Sequence, residues 1–133
     1  MIVADTNLIA YLWIPGVFTP LAEKVLKRDP VWAAPLLWRS EFRNVLSGLV
    51  RQGAVGMDIA RRVLFEAERQ MKGREFAVPS DLVLDLAVSS GCSAYDCEFV
   101  ALARDLDAPL VTQDRKLLAA FRGIAVSAKS FSE

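Results

Sequence analysis

Four carboxylates in this chain, Asp5, Glu41, Asp96 and Asp114, stand where ordinary solvent-facing acids do not. Asp5 follows the apolar run MIVA, and Asp114 lies two residues after Thr112, beyond the run PLVT. If both runs are strands of one parallel sheet, both acids open into the crevice beyond the strands' carboxyl ends. Glu41 has Leu37, Trp38 and Val45 at helical spacing, and Asp96 has Phe99, Val100 and Ala103. Residues at those spacings share a helix face, so both acids project from or beside an apolar stripe. Buried carboxylates are rare unless paired or bound to a metal. Carboxylates a few ångströms apart repel one another unless a cation neutralises them. An all-oxygen donor set suits Mg²⁺, Mn²⁺ or Ca²⁺ rather than zinc or copper. Such an ion together with phosphate ligands favours phosphoryl chemistry, and two ions could clamp an in-line displacement.

Each acid also has a plainer role open to it. Asp5 could begin the next turn or cap the helix that follows. Asp96 could sit in a capping box opened by Ser93, and Asp114 could cap the helix at Arg115. Glu41 could pair with a nearby arginine such as Arg39.

Composition narrows the chemistry. The chain has 133 residues, 16 Lys+Arg, 16 Asp+Glu and no His, with 53% hydrophobic residues. That length implies one domain, spanning residues 1–133, and the apolar content excludes intrinsic disorder. The absence of His removes Ser-His-Asp triads, Cys-His pairs and His-ligated zinc. Zero net charge argues against histone-like binding of nucleic acid but not against a local basic rim. Cys92 and Cys97 are too few for a disulfide scaffold or a four-thiolate metal site, and read as small thiols in a reducing cytosol. The N-terminus lacks a basic signal region, and Pro15-Gly16 breaks its longest apolar stretch, so neither a signal peptide nor a membrane span is expected. The expected location is cytoplasmic.

The elements that must position the acids alternate in type. Apolar strands are expected at Met1–Ala4, Val31–Ala34, Glu75–Val78, Pro109–Thr112 and Ile124–Ser127. Helices are expected over Thr6–Ile14, from Thr19-Pro20 (with Thr19 as cap) to Arg28, over Leu36–Gln52, Val55–Met71, Pro79–Val88, Tyr95–Leu106 and Arg115–Phe121. Short apolar strands between helices imply an α/β fold with a central, mostly parallel sheet of about five strands.

The pieces VADTNLIAYLW, SEFRNVL, SAYDCEFVALA and LVTQDRKLL together resemble the four motif blocks of the PIN-domain family, and most closely its VapC-type toxin ribonucleases. The blocks run in order along essentially the whole chain, each with its acid. The resemblance implies a PIN-like α/β/α sandwich and an endoribonuclease dependent on Mg²⁺ or Mn²⁺. Asp5 would be the first-strand metal ligand, supported by Asn7 or Thr6. Glu41 would be the acid of the third helix, Asp96 the helix acid that follows a tyrosine (here Tyr95), and Asp114 the last of the quartet, with Thr112 in the T-x-D position. Asp5, Asp96 and Asp114 would hold the cation, and Glu41 would bind it through water or orient the nucleophile. The implied partners are RNA, a structured one such as tRNA or rRNA, a cognate antitoxin, and a second copy in a homodimer. Gln113 replaces a commonly small residue, and Glu98 adds an acid on a different face of its helix.

Arg39, Arg43, Arg104, Arg115 and Lys116 lie within a few residues of the quartet. Arg43 and Arg115 are the candidates for a basic RNA rim, against solvated helix positions for all of them. Trp13, Trp32 and Trp38 sit in apolar runs and read as packing rather than base-stacking residues. The first two helices carry more apolar material than two short helices can bury, including Leu8, Leu12, Trp13, Val17, Phe18, Leu21 and Leu26, which predicts a partner groove. An aspartyl-phosphate phosphohydrolase fits less well, because Asp5-Thr6-Asn7 lacks a second Asp. Two alternatives keep the fold: a non-catalytic binding module, and a PIN nuclease of general RNA processing.

Overall fold

The computed structural model describes residues 1–133. In chain order the elements are β1 (Ile2–Ala4), α1 (Thr6–Trp13), α2 (Thr19–Arg28), β2 (Trp32–Pro35), α3 (Leu37–Arg51), α4 (Met57–Met71), β3 (Glu75–Phe76), α5 (Ser80–Ser90), α6 (Ala94–Leu106), β4 (Leu110–Val111), α7 (Arg115–Ala120), β5 (Ala125–Val126) and α8 (Ala128–Ser132). The five strands form one sheet in the order β3-β2-β1-β4-β5, and every pairing is parallel. This is the expected α/β architecture, a PIN-like α/β/α sandwich. The strands are short because only their apolar centres lie between helix layers: β1, β2 and β4 are buried throughout.

Strand order decides where a site can form. From β1 the chain moves outward to β2 and β3, then returns to place β4 on the other side of β1. Right-handed crossovers put the two sets of connecting helices on opposite faces. α1, α3 and α4 pack together, while α6 lies on β1, β2 and β4 with α5 outside it. The connections leaving β1 and β4 therefore diverge and open a crevice at their carboxyl ends. Register is fixed there by Val3 beside Leu110 and Ala4 beside Val111, and by the Asp5 amide donating to the Val111 carbonyl at 3.2 Å.

Local chemistry ends the helices where the crevice needs loops. Gly91, at φ +74°, stops α5 in a left-handed turn that a Cβ would strain. Ser93 then caps α6, its hydroxyl accepting from the Asp96 amide at 3.0 Å. Two expectations change. Thr19 does not cap α2: its hydroxyl accepts from the Gly16 amide and donates to the Tyr11 carbonyl, which secures the preceding turn, and Phe18 takes the cap position. An additional helix, α8, follows β5, with Ser127 capping it through the Ser130 amide.

α8 packs on α2, and the Arg28 guanidinium lies 5.8 Å from the Phe131 ring centre. It accounts for part of the apolar surplus of the first two helices. Leu8, Ile9 and Val25 are buried, and Leu12, Trp13, Leu21 and Leu26 pack against the core. Only Val17 and Phe18, in the loop between the helices, remain largely exposed from that set. The exposed apolar surface there lines a hollow around that loop, with Tyr11, Ile14, Val17 and Phe18 in its wall. Trp32 and Trp38 are fully buried, and the Trp13 indole donates to Gln70, so all three serve packing. No helix is long and apolar enough to cross a membrane.

Candidate functional site

The crevice between β1 and β4 contains a pocket of about 240 Å³ lined by Asp5, Thr6, Asn7, Glu41, Asn44, Val45, Asp96 and Asp114. Four elements remote in the chain thus bring four acids to one place. Asp5 closes β1 and caps α1, Glu41 comes from the second turn of α3, Asp96 from the first turn of α6, and Asp114 caps α7.

Two threonines organise the acids. The Thr112 hydroxyl, almost fully buried, donates to Asp5 Oδ2 at 2.6 Å and accepts from the Asp114 amide at 3.1 Å. It ties the end of β4 to the end of β1 and orients the turn carrying Asp114. The Thr6 hydroxyl donates to Glu41 Oε1 at 2.6 Å, while the Thr6 amide donates to Asp5 Oδ1 at 2.8 Å. Asp114 Oδ1 accepts from the Leu117 amide at 3.0 Å. Glu41 Oε2, Asp114 Oδ2 and both oxygens of Asp96 accept no hydrogen bond from the protein. The plainer roles are therefore real for Asp5 and Asp114, which cap helices and still line the pocket. Asp96 takes part in the cap of α6 through its amide alone, leaving its carboxylate free. The pairing of Glu41 with Arg39 does not occur. Arg39 turns to Glu75 instead, Nε to Oε1 at 2.6 Å and Nη2 to Oε2 at 2.7 Å.

No lysine or arginine forms an ion pair with any of the four acids. The electrostatic result is consistent across the pocket. Burial pushes the Asp5 carboxyl above its usual range, against the hydrogen bonds from Thr112 and Thr6, and the charges of Asp96 and Asp114 push it further. Burial also raises Glu41, despite the Thr6 hydroxyl, with added repulsion from Asp5, Asp96 and Glu98. Asp96 is raised by burial and then by Asp114, with Ser93 and Lys116 pulling the other way. These groups are short of positive charge, which a cation or a proton would supply.

The donor set is entirely oxygen, as a hard divalent ion requires. As placed, no three of the acid side chains converge tightly enough to ligate one ion by themselves. The residues fit an ion held by few carboxylates with water completing its shell, which is how Mg²⁺ is usually held. Asp96 and Asp114, with their free oxygens, would be the direct holders, joined by Asp5.

The basic candidates disperse. Arg43 and Arg115 are exposed and unpaired, but Arg43 lines a neighbouring apolar hollow between α3 and α4 rather than the acid pocket. Arg104 lies at the far end of α6, and Lys116 donates to the Gly91 carbonyl at 2.8 Å, beside the start of α6. Asn7, expected to support Asp5, lines the pocket, and so does Asn44, which no sequence motif singles out. Its spacing of three from Glu41, on the same face of α3, was the available signal. Cys92 and Cys97 are buried free thiols, and burial pushes the Cys97 thiol up.

Comparison with known proteins adds whole-chain likeness. A curated relative, Ribonuclease VapC3 of Pyrobaculum aerophilum, is 28% identical over 123 residues, covering 90% of this chain and 94% of the relative. The crystal structure of PAE2754 from Pyrobaculum aerophilum superposes with a TM-score of 0.77 at 27% identity, covering 98% of this chain and 85% of that one. A toxin-antitoxin complex from Klebsiella pneumoniae shares the fold, with a TM-score of 0.70 at 17% identity over 96% of this chain and 98% of the matched chain. No family model matches.

Proposed function

We propose, for a chain that resembles VapC-type PIN proteins along its whole length, that it is a divalent-cation-dependent endoribonuclease and the toxin of a toxin–antitoxin pair. The observation that carries the reading is the gathering of Asp5, Glu41, Asp96 and Asp114 in one pocket with no ion pair to any of them. The name of the Pyrobaculum relative supports the ribonuclease activity, and the Klebsiella neighbour supports an antitoxin as partner.

The chemistry an Mg²⁺ or Mn²⁺ ion supplies when bound is acidification of a water and neutralisation of charge on the phosphate oxygens. The chain's own part is placement. Asp96, through both oxygens, and Asp114, through Oδ2, would hold the ion that meets the phosphodiester. Asp5, fixed at both oxygens by Thr6 and Thr112, holds its position as substrate arrives. Glu41, its pKa raised and one oxygen held by Thr6, orients the attacking water and takes its proton through Oε2. In-line attack by water leaves a 5′-phosphate and a 3′-hydroxyl. RNA approaches past Arg115, and the hollow lined by the exposed Leu36 and Leu84 with Phe76 and Val83 is the face for a second copy. The protein acts in the cytoplasm.

The test is cleavage of RNA by purified protein with Mg²⁺ or Mn²⁺, its arrest by EDTA, and analysis of the product ends. Equal activity in EDTA, or a cyclic phosphate terminus, rejects the mechanism. A non-catalytic module predicts no cleavage under any condition.

A further inference from the structure

The acid pocket has two neutral hydrogen-bonding side chains at its wall, Asn7 from α1 and Asn44 from α3, two helices that pack against each other. Both are exposed, and neither carboxamide makes a hydrogen bond within the protein. Thr6 and Thr112 are buried and spent on Glu41 and Asp5, and the Ser93 hydroxyl is engaged by the Asp96 amide. The two amides are therefore the uncommitted neutral groups facing whatever enters.

Their chemistry differs from everything else in the pocket. Ionised carboxylates only accept, and an arginine or lysine would only donate and would also neutralise the acids. A carboxamide both donates and accepts without altering the charge on which an ion depends. The part of an RNA strand that matches this is the ribose 2′-hydroxyl, itself donor and acceptor, and it is the group that distinguishes RNA from DNA at a given position. Asn44 stands one helical turn beyond Glu41 on the same face of α3. A phosphate held at the acids would bring its neighbouring sugar toward the wall that Asn44 lines.

We propose that Asn44 is a specificity-determining residue that hydrogen-bonds the ribose 2′-hydroxyl beside the scissile phosphodiester. The inference rests on the endoribonuclease reading above and deepens it by assigning the choice of RNA over DNA to one side chain. A neutral hydrogen bond of this kind contributes about three- to tenfold in rate.

The experiment compares kcat/KM for one short RNA carrying a mapped cleavage site with that for the same oligonucleotide bearing a single 2′-deoxy substitution at the cleaved nucleotide. Wild type should prefer the all-ribose substrate by about three- to tenfold. Asn44→Ala should lower the rate on the all-ribose substrate by the same factor and cut both substrates equally. Asn44→Gln should restore part of the preference. The rise in melting temperature with Mn²⁺ should be the same in Asn44→Ala as in wild type, separating loss of sugar contact from damage to the acids. Undiminished preference in Asn44→Ala overturns the assignment. So does complete loss of cleavage by the 2′-deoxy change in both proteins, which would make the 2′-hydroxyl the nucleophile. A wild type that cuts neither oligonucleotide nor any total RNA overturns the ribonuclease reading itself, a result distinct from either.

Discussion

Two acidic regions lie along this sheet, and they are built on opposite principles. At the β2–β3 side, Glu75 is gripped by Arg39 through two hydrogen bonds and receives a third from the Trp38 indole at 2.7 Å. The Arg39 contact holds the Glu75 carboxyl below its usual range. At the β1–β4 crevice, Asp5, Glu41 and Asp96 form no ion pair, and burial holds them above theirs, in Asp96 against the pull of Lys116. Arg39 lies only two residues before Glu41 and turns the other way. The protein satisfies a partly buried acid where the acid is structural. It leaves the crevice acids without ion pairs, so their mutual repulsion is a stability cost that a bound cation would offset.

Neutralising an acid should have opposite consequences in the two regions, and the largest difference is in activity. Asp5→Asn or Asp96→Asn should lower RNA cleavage by more than about a hundredfold, beyond the tenfold to hundredfold attached to outer-shell partners of a metal. Circular dichroism should show the fold intact, and without cation the melting temperature should hold or rise. Wild-type cleavage by both variants would erase the distinction. Next is the response to cation. Saturation with Mg²⁺ or Mn²⁺ at about 100 times Kd should stabilise the protein by roughly 2.7 kcal/mol, read as a melting shift, and Asp96→Asn should blunt it. A flat titration at millimolar ion would remove the reason for the unpaired acids.

Glu75→Ala should do the reverse, destabilising by about 1–3 kcal/mol because Arg39 and the buried Trp38 indole lose their partner. Urea unfolding measures it, and no loss would mean the grip on Glu75 is idle. The smallest effect is the pH profile. Because Asp5, Glu41 and Asp96 have folded-state pKa values above their unfolded ones, the native state binds more protons in that interval. The cation-free protein should therefore gain stability as pH falls from neutral through those raised values. Glu75 and Asp29, with depressed values, contribute stability that is lost only lower, as pH falls through their folded-state pKa values. Melting curves across mildly acidic pH in EDTA should rise as described and flatten when Mg²⁺ is present; a fall on mild acidification in EDTA would contradict the sign.

The crevice acids were legible because each is marked by its own neighbours. Asp5 follows an apolar strand, Glu41 and Asp96 interrupt apolar helix faces, and Asp114 trails a strand-end threonine. The strands and most helices were legible for the same reason: apolar period and Pro, Gly or Ser at the breaks. What could not be read were choices between equally good partners far apart in sequence. Nothing local says that Arg39 takes Glu75, 36 residues on, rather than Glu41. Nothing local sends the Thr19 hydroxyl back to the Tyr11 carbonyl instead of forward into a cap. α8 was missed because AKSFS is too short to show a helical period, and it covers apolar residues of α2 that looked surplus without it.

The Thr112 hydroxyl, bound at once to Asp5 and to the backbone of Asp114, joins the ends of two strands across a separation of 107 residues. A chain that stops short of β4 holds Asp5, Glu41 and Asp96 but lacks Thr112, which orients Asp5, and Asp114, which completes the pocket. The pocket therefore exists only while β1 and β4 are paired, and it is lost with that long-range contact rather than with any single helix.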